Sequence, residues 1–341
     1  MKAIAKLRPE PGLELTEVEE REPRAGEVKL KVERASICGT DLHIYQWDAW
    51  AAGRVVPPRV VGHEICGRIT SIGEGVTDRE LGQLVCTESH IVDPEDPDLS
   101  EGLGHVARST RILGVDVDGG FAESLVIPAA NARPVPSGVD PSVASMMDAL
   151  GNAVHTVMAG PVGGLTILIT GLGPIGLFAV KVCQALGASC VIGTEVSPYR
   201  RKLAESMGAT AVIDPTSTDA LCEVLKIAPG GVDAVLEMSG HPSALDLAIN
   251  SVRPGGRISL LGVSGQNRLE VETNQIVFKG LTIQGIVGRR LWETWEQMDF
   301  LFTHCNLDVS EIVTHTMHYT EVTQAMEVLA SAQAGKIVLE F

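Results

Sequence analysis

The chain has 341 residues, of which 45% are hydrophobic and 21% are charged, and its formal net charge is −16 at pH 7. This composition is typical of a folded globular protein and excludes an intrinsically disordered chain. The acidic balance argues against a nucleic-acid partner, because binding to phosphates requires a basic surface. The length is sufficient for two domains.

Targeting and redox signals indicate the cytoplasm. Residues 1–6 lack the apolar core of a signal peptide, and no run of about 18 apolar residues is present to form a membrane helix. The seven cysteines are odd in number and scattered along the chain, which is typical of thiols kept reduced inside the cell. We therefore predict a cytoplasmic protein with no membrane partner.

The first 150 residues have the pattern of a β domain. Alternating or Gly-bounded segments at 26–32, 65–73 and 120–128 are typical of strands. Many short strands interrupted by Gly and Pro predict a compact, barrel-like β domain.

The pattern changes near residue 150. Residues 165–170 form a continuous apolar run, as expected for a parallel strand buried on both faces. Further strand candidates, most of them separated by helical segments, are 190–195, 211–214, 232–237, 257–261 and 281–286. Six strands alternating with helices predict a doubly wound parallel sheet. The chain then ends with helical segments at 293–304 and 320–334 and a strand at 336–340.

A glycine-rich loop, 171–176, follows the first of these strands and opens a helix. Its glycines, Gly171, Gly173 and Gly176, permit a tight turn and a close approach of the backbone to a pyrophosphate at the helix N-terminus. Glu195 lies 19 residues further on, at the end of the next strand. A carboxylate there accepts from the ribose hydroxyls and repels a 2′-phosphate, so we predict NAD rather than NADP.

Cys38, His63 and Glu64 are the candidate metal ligands. A cysteine sulfur, a histidine nitrogen and a carboxylate oxygen suit zinc, and three protein ligands leave a fourth position open for a catalytic role. A lone buried Cys more often packs as a small hydrophobe. The spacing alone therefore leaves both interpretations open, and the rest of the chain must decide.

Longer motifs give the chain a resemblance to a known family. They lie at 36–45, 47–50, 62–64, 151–156, 237–240 and 288–295. Together they resemble the medium-chain zinc alcohol dehydrogenase family nearly from end to end. The resemblance implies a GroES-like β-barrel catalytic domain at 1–150, completed by 291–341, and an NAD-binding Rossmann domain at 151–290.

The resemblance also implies roles for individual residues. Cys38, His63 and Glu64 would hold the catalytic zinc, Thr40 and His43 would relay the proton, and Asp148 would tune the site. His90 would bear on substrate choice. Besides the three loop glycines, the implied cofactor positions are Ile175, Glu195, Arg200, Leu261, Gly262, Val263, Ile286 and Val287.

The longer motifs are typical of family members that oxidise the 3-hydroxyl of L-threonine to 2-amino-3-oxobutyrate, with hydride transfer to NAD. The alternatives are another secondary alcohol, namely a different β-hydroxy amino acid, butanediol or a polyol, and an NAD-binding protein that has lost catalysis. The resemblance further implies a homotetramer in which edge strands pair between subunits, with 281–286 as the candidate edge.

The chain departs from the family pattern in two places. The four cysteine positions of the family's structural zinc lobe fall on Asp93, Asp96, Leu99 and Ala107, so we predict one zinc per chain and a metal-free lobe. The acids at 93–98 are expected to form a solvated loop rather than a site for a harder cation. At 146–150 the acid Asp148 is kept, but the proline that usually follows is absent.

Overall fold

The computed structural model describes all residues, Met1–Phe341, and divides into two compact units. The first unit comprises Met1–Ala149, Arg290–Trp295 and Val313–Phe341, and the second comprises Leu150–Arg289 and Glu296–Ile312. The second unit includes 296–312, which the predicted domain bounds assign to the first domain. The assignment of functions to domains stays a prediction.

The first unit begins with ten strands and four short helices. The strands are β1 (Lys2–Lys6), β2 (Glu14–Glu17), β3 (Glu27–Ser36), β4 (Arg59–Val60), β5 (Glu64–Ile72), β6 (Leu84–Thr87), β7 (His90–Ile91), β8 (Arg111–Ile112), β9 (Ser124–Pro128) and β10 (Ala132–Pro134). The helices are α1 (Gly39–Gln46), α2 (Ala49–Arg54), α3 (Pro97–Ser100) and α4 (Pro141–Ser145). One sheet has the order β2-β1-β4, and β7 pairs with β8.

The second unit is built from the following elements. They are α5 (Met147–Met158), which begins in the first unit, then β11 (Thr166–Thr170), α6 (Pro174–Ala185), β12 (Cys190–Thr194), α7 (Pro198–Ser206), β13 (Ala211–Ile213), α8 (Ala220–Ile227), β14 (Val232–Glu237), α9 (Pro242–Ser251), β15 (Val252–Leu260), α10 (Thr273–Lys279), β16 (Thr282–Gly285) and α11 (Glu293–His304), which also begins in the first unit. All six strands are parallel, in the order β13-β12-β11-β14-β15-β16. This confirms the predicted doubly wound sheet. The order in which the chain adds strands reverses between β11 and β14, and such folds bind ligands at this point.

The chain then returns to the first unit with β17 (Val313–His318), α12 (Val322–Ala330) and β18 (Lys336–Glu340). Its main sheet has the order β10-β6-β5-β3-β18-β17, with β9 also paired to β3. In this sheet Ser36 lies opposite both Glu64 and Val338. The end of β3, the start of β5 and the C-terminal strand β18 therefore meet at one place.

Several elements were not predicted from the sequence. The helices α1 and α2 lie in a segment that the sequence predicts to contain only strands and turns, and no predicted element covers β17. The sequence of α1 lacks an apolar stripe with helical spacing, which is the signal that periodicity reports. No helix is both long and apolar enough to cross a membrane.

The turn before β5 requires glycine at position 62. Gly62 has a φ of +87°, and a Cβ atom there would lie 2.0 Å from Cδ1 of Phe121, whose side chain is fully buried. Residues with a Cβ rarely adopt this backbone conformation. This close approach holds the turn against the core. It thereby sets the position of His63 and Glu64, which directly follow the turn.

We expect Gly62→Ala to lower the free energy of unfolding by more than about 2 kcal/mol, since the left-handed backbone costs about 1 kcal/mol and a clash with a packed ring about 1–3 kcal/mol more. Gly75→Ala is the matched control, because Gly75 has a φ of +81° but nothing within 4 Å of its Cβ position. Urea unfolding at one protein concentration measures both. Equal losses would show that Phe121 does not restrict the turn.

Candidate metal centre and cofactor site

Cys38, His63 and Glu64, the ligand cluster, lie together at the junction of β3, β5 and β18. Each residue offers one potential ligand atom, and these three atoms all lie within 4.8 Å of one another. Cys38 precedes α1, while His63 and Glu64 are buried at the start of β5. The structure thus brings the three predicted metal ligands to one point.

Glu64 is held so that one oxygen is occupied and the other is available. Its Oε2 accepts hydrogen bonds from Ser36 Oγ and from Lys336 Nζ, while its buried Oε1 has no hydrogen-bond partner. A buried acceptor without a partner is costly, and a bound cation would satisfy it. The sulfur, nitrogen and oxygen set therefore fits zinc on the chemistry of its donors and on this orphaned oxygen.

Lys336 is the cation that supports the cluster. It is fully buried at the start of β18 and also donates to the backbone oxygen of Ile37, at 3.0 Å. The motifs predict no role for Lys336 or Ser36. The available signal is a lysine directly before the apolar run 337–339 of the terminal strand. A lysine is rarely fully buried without a partner.

The electrostatics of His63 also suit metal binding. Burial lowers the pKa of this imidazole, but the neighbouring Cys38, a hydrogen bond to Cys38, and the carboxylates of Asp41 and Asp148 outweigh burial and raise the pKa to about 10. Negative charge around the ring therefore holds a proton when no other cation is bound. Metal binding to such ligands displaces that proton.

Asp148 lies beside the ligand cluster but is not part of it. Its Oδ1 accepts from the backbone N–H of Ser89 at 3.1 Å, and its charge acts on His63. The ligand atoms that group within 4.8 Å do not include its carboxylate. The geometry agrees with a tuning role, which stays a prediction.

The two predicted relay residues are both on α1. The Cys38 sulfur donates to Thr40 Oγ1 at 3.7 Å, which places Thr40 beside the ligand cluster. His43 follows three residues later, so it lies on the same side of the helix. Its ring contacts Asp48 and is more than half exposed to solvent. The relay role of both residues stays a prediction.

His90 lies in a buried polar network that sequence analysis did not find. Its Nδ1 is 2.7 Å from Oε1 of Glu88, whose Oε2 accepts from Trp295 Nε1 at 2.7 Å. Asn131 Nδ2 donates to the backbone oxygens of both Glu88 and His90. Ser89, which lies between Glu88 and His90, donates its backbone N–H to Asp148. The network is therefore connected through Asp148 to the surroundings of the ligand cluster.

The lobe around residues 93–109 is held by hydrogen bonds. Asp96 Oδ1 accepts from the backbone N–H of Asp98, and its Oδ2 accepts from Ser109 Oγ at 2.5 Å. Asp93 Oδ1 accepts from the backbone N–H of Glu95 at 3.0 Å. Both carboxylates at the positions where the family usually has cysteines therefore have local donors.

The glycine-rich loop has the geometry that a dinucleotide requires. A Cβ on Gly176 would lie 2.1 Å from the backbone oxygen of Gly171, so the helix packs closely on the turn. Gly173 caps α6, and Ile175 lies in its first turn. Arg200 Nη1 lies 4.0 Å from the position of a Cβ on Gly173, so its guanidinium is above the loop.

Glu195 lies at the carboxyl edge of β12, as predicted. Its Oε2 accepts from the backbone N–H of Leu172 at 2.9 Å, and its Oε1 accepts from that of Ser197 at 2.8 Å. Each oxygen keeps a second lone pair for a ribose hydroxyl. A cavity of about 450 Å³ extends from Gly171 and Glu195 to His241.

The remaining predicted cofactor residues follow β15 and β16 at the same edge of the sheet. They are Leu261, Gly262, Val263, Ile286 and Val287. The buried Glu237 has a structural role that the motifs do not predict: its Oε1 accepts from the backbone N–H groups of Ser239 and Gly240. A Cβ on Gly262 would lie 2.1 Å from the nitrogen of Gly240, so these two loops pack backbone to backbone.

We expect Lys336→Met to increase the rise in melting temperature that zinc produces. Without Lys336, the metal-free protein must bury an uncompensated Glu64 carboxylate, at a cost of about 3–5 kcal/mol, whereas bound zinc compensates the charge. Lys31→Met, an exposed lysine of β3, is the control. Melting curves with a chelator and with zinc measure the difference. An unchanged zinc-induced shift would contradict the coupling.

Two family models match the chain. Residues 24–137 match the alcohol dehydrogenase GroES-like domain, and residues 174–303 match the zinc-binding dehydrogenase model. The L-threonine 3-dehydrogenase of Pyrococcus furiosus is 44% identical over 341 residues, covering 99% of this chain and 98% of the relative. That of Bacillus subtilis is 43% identical over 340 residues, with the same coverage.

Solved structures agree with these matches. A short chain alcohol dehydrogenase of E. coli CFT073 in complex with NADH has a TM-score of 0.91 and 31% identity, covering 100% of this chain and 99% of the other. The 2R,3R-butanediol dehydrogenase of Bacillus subtilis has a TM-score of 0.88 and 25% identity, with the same coverage. These similarities confirm the family resemblance seen in the motifs: the chain belongs to the zinc-binding, medium-chain alcohol dehydrogenase family and is an NAD-dependent oxidoreductase.

Proposed function

We propose that this enzyme oxidises the 3-hydroxyl of L-threonine to 2-amino-3-oxobutyrate and transfers the hydride to NAD. The observation that carries the proposal is the similarity to L-threonine 3-dehydrogenases over 99% of the chain, at 40–45% identity. The ligand cluster and the glycine-rich loop provide the two sites that such a reaction requires.

Cys38, His63 and Glu64 would hold the zinc, through sulfur, nitrogen and carboxylate oxygen. When bound there, zinc supplies Lewis acidity that lowers the pKa of the substrate hydroxyl. Ser36 and Lys336 keep the Glu64 carboxylate oriented, and the charge of Asp148 acts on the cluster through His63. The chain thereby fixes both the geometry and the net charge of the site.

The proton leaves through α1. Thr40 receives the proton of the substrate hydroxyl and passes its own to His43, which releases it to solvent. Thr40 is suited to the first step because its hydroxyl is beside Cys38, and His43 is suited to the last because its ring is exposed.

The carboxyl edge of the parallel sheet would bind NAD. The N-terminus of α6 favours the pyrophosphate, and Glu195 accepts from the adenosine ribose and repels a 2′-phosphate. NAD carries the hydride chemistry, while the protein positions it. The residues after β15 and β16 would line the nicotinamide half.

A second candidate is the same reaction on another secondary alcohol, such as butanediol, a polyol or a different β-hydroxy amino acid. The observation that favours it is the segment 146–150, which lacks the family's usual proline beside Asp148. This segment adjoins the metal centre, so a change there alters the wall of the substrate site.

We also propose one zinc per chain, a homotetramer and a cytoplasmic location. The hydrogen bonds of Asp96 with Ser109 and Asp98 support a lobe that folds without metal. The strand β16 lies at the edge of its sheet and has an unpaired side, which supports pairing between subunits.

Initial rates of NADH formation test the substrate. With zinc-loaded protein and NAD, we expect L-threonine to give a higher kcat/KM than L-serine, 2,3-butanediol or sorbitol. Preference for a diol or polyol would support the proposed reaction type but contradict L-threonine as the substrate. No turnover with any of the four, with zinc and NAD both bound, would favour a protein that has lost catalysis.

Metal analysis after extensive dialysis tests the stoichiometry. We expect one tightly held zinc per chain in the wild type and loss of that zinc in Cys38→Ser, because a hydroxyl replaces the thiolate ligand. Cys222→Ser, an exposed cysteine of α8, is the control and should keep its zinc. Two tightly held zinc ions per chain would contradict the metal-free lobe.

A further inference from the structure

The connection between α1 and α2 brings a carboxylate to the predicted proton relay. Asp48 Oδ2 lies 2.6 Å from Nδ1 of His43, within hydrogen-bond distance. Its other oxygen, Oδ1, accepts from the backbone N–H of Ala51 at 3.0 Å and so caps α2. The two oxygens of Asp48 therefore have separate partners, one in the helix cap and one in the imidazole.

The backbone is arranged to hold Asp48 in this place. Trp47 ends α1 in the left-handed conformation, with a φ of +55°, which is unfavourable for a bulky residue. The Lys6 ammonium lies 4.9 Å from the centre of the Trp47 ring and donates to the backbone oxygens of Glu10 and Gly12. These contacts stabilise the turn that returns the chain towards His43.

We propose that Asp48 is a positioning residue of the proton relay, which holds the His43 imidazole with its Nδ1 protonated and its Nε2 directed to receive the proton. The inference rests on the proposed function, since Asp48 acts only through His43. The Thr40 O–H bond breaks as a new N–H bond forms at Nε2. The imidazolium then gives a proton to bulk water, and the ring returns to its starting tautomer.

A hydrogen-bonded carboxylate suits this role for two reasons. It selects the tautomer whose other nitrogen is a proton acceptor, and it stabilises the imidazolium that forms. The hydrogen bond from the Ala51 N–H and the one with His43 hold the pKa of Asp48 below its usual range, so the carboxylate stays ionised at neutral pH.

No other charged group is in ion-pair contact with His43. The neighbouring elements carry Lys6, Arg54 and Glu327, and on α1 itself Asp41 is bonded to the backbone N–H of Cys38. The other contact of the imidazole is with the Trp50 ring, whose centre is 5.9 Å away. Asp48 is therefore the charge that acts directly on this ring.

The alternative is that Asp48 serves only as the N-cap of α2. Asp48→Asn separates the two roles, because asparagine caps a helix as well as aspartate does but carries no charge. Asp219→Asn is the matched control: Asp219 caps α8 through the backbone N–H of Cys222 and contacts no histidine. Asp48→Ala removes both the cap and the charge.

The test measures kcat and kcat/KM for L-threonine as a function of pH, with zinc-loaded, full-length enzyme and NAD, alongside thermal unfolding. We expect Asp48→Asn to keep the wild-type melting temperature and to lower kcat about tenfold. This loss is smaller than the rate contribution of a general acid–base group, because the pair of Asp48 and His43 is partly exposed to solvent. Loss of the carboxylate disfavours the imidazolium, so the ascending limb of the pH profile should move to lower pH. Asp219→Asn should change neither quantity.

His43→Asn distinguishes failure of this inference from failure of the relay. If His43→Asn keeps the wild-type rate and pH profile, the relay itself is wrong and Asp48 has no role in it. If His43→Asn loses activity while Asp48→Asn matches the wild type in rate and pH profile, the relay stands and the inference is overturned. A rate loss in Asp48→Asn with a lower melting temperature and an unmoved pH profile would also overturn it, since that result indicates a helix cap only.

Discussion

The contact between the buried Glu64 carboxylate and the Lys336 ammonium is the interaction on which the metal centre depends. Both groups are removed from water, so each needs the other to offset the cost of burial. The pair also sets the charge of the site. When a divalent cation binds and displaces the proton of His63, the Cys38 thiolate, the Glu64 carboxylate and the Lys336 ammonium together carry a net charge of about −1. The loaded site then keeps a positive charge, which Lewis-acid activation of an alcohol requires.

Backbone N–H groups fix the acids that surround both candidate sites. Asp148 accepts from Ser89, beside the ligand cluster, while Glu195 and Glu237 accept from loops at the edge of the parallel sheet. Each of these carboxylates joins its own element to a loop that would contact substrate or cofactor. The loops are thereby positioned before ligands bind, which lowers the entropy lost on binding.

Local sequence patterns predicted the parts of the molecule that local physics determines. The loop 171–176 could be identified because its glycines, the apolar strand before it and the helix after it are contiguous. Lys336 could not be identified as the partner of Glu64, because the two are 272 positions apart and meet only when β18 joins the sheet. The same limit hid the contact of Trp295 with Glu88, across 207 positions. Periodicity and spacing report which residues share a face, whereas buried polar pairs depend on tertiary contacts.

This difference explains why the reaction can be read from motifs more readily than the substrate. The chemistry needs a ligand cluster and a dinucleotide loop, each encoded within a short stretch. The orientation of His90 instead depends on Glu88, and Glu88 is held by Trp295, which arrives from a distant segment. The Arg133 guanidinium packs over the rings of Trp292 and Trp295, at 5.0 and 5.9 Å from their centres. A third segment thereby contacts the network of His90, Glu88 and Trp295. A substitution in any of the three segments can turn the His90 ring without altering a metal ligand. If His90 bears on substrate choice, as the motifs predict, relatives that share the chemistry can thereby differ in the alcohol they accept.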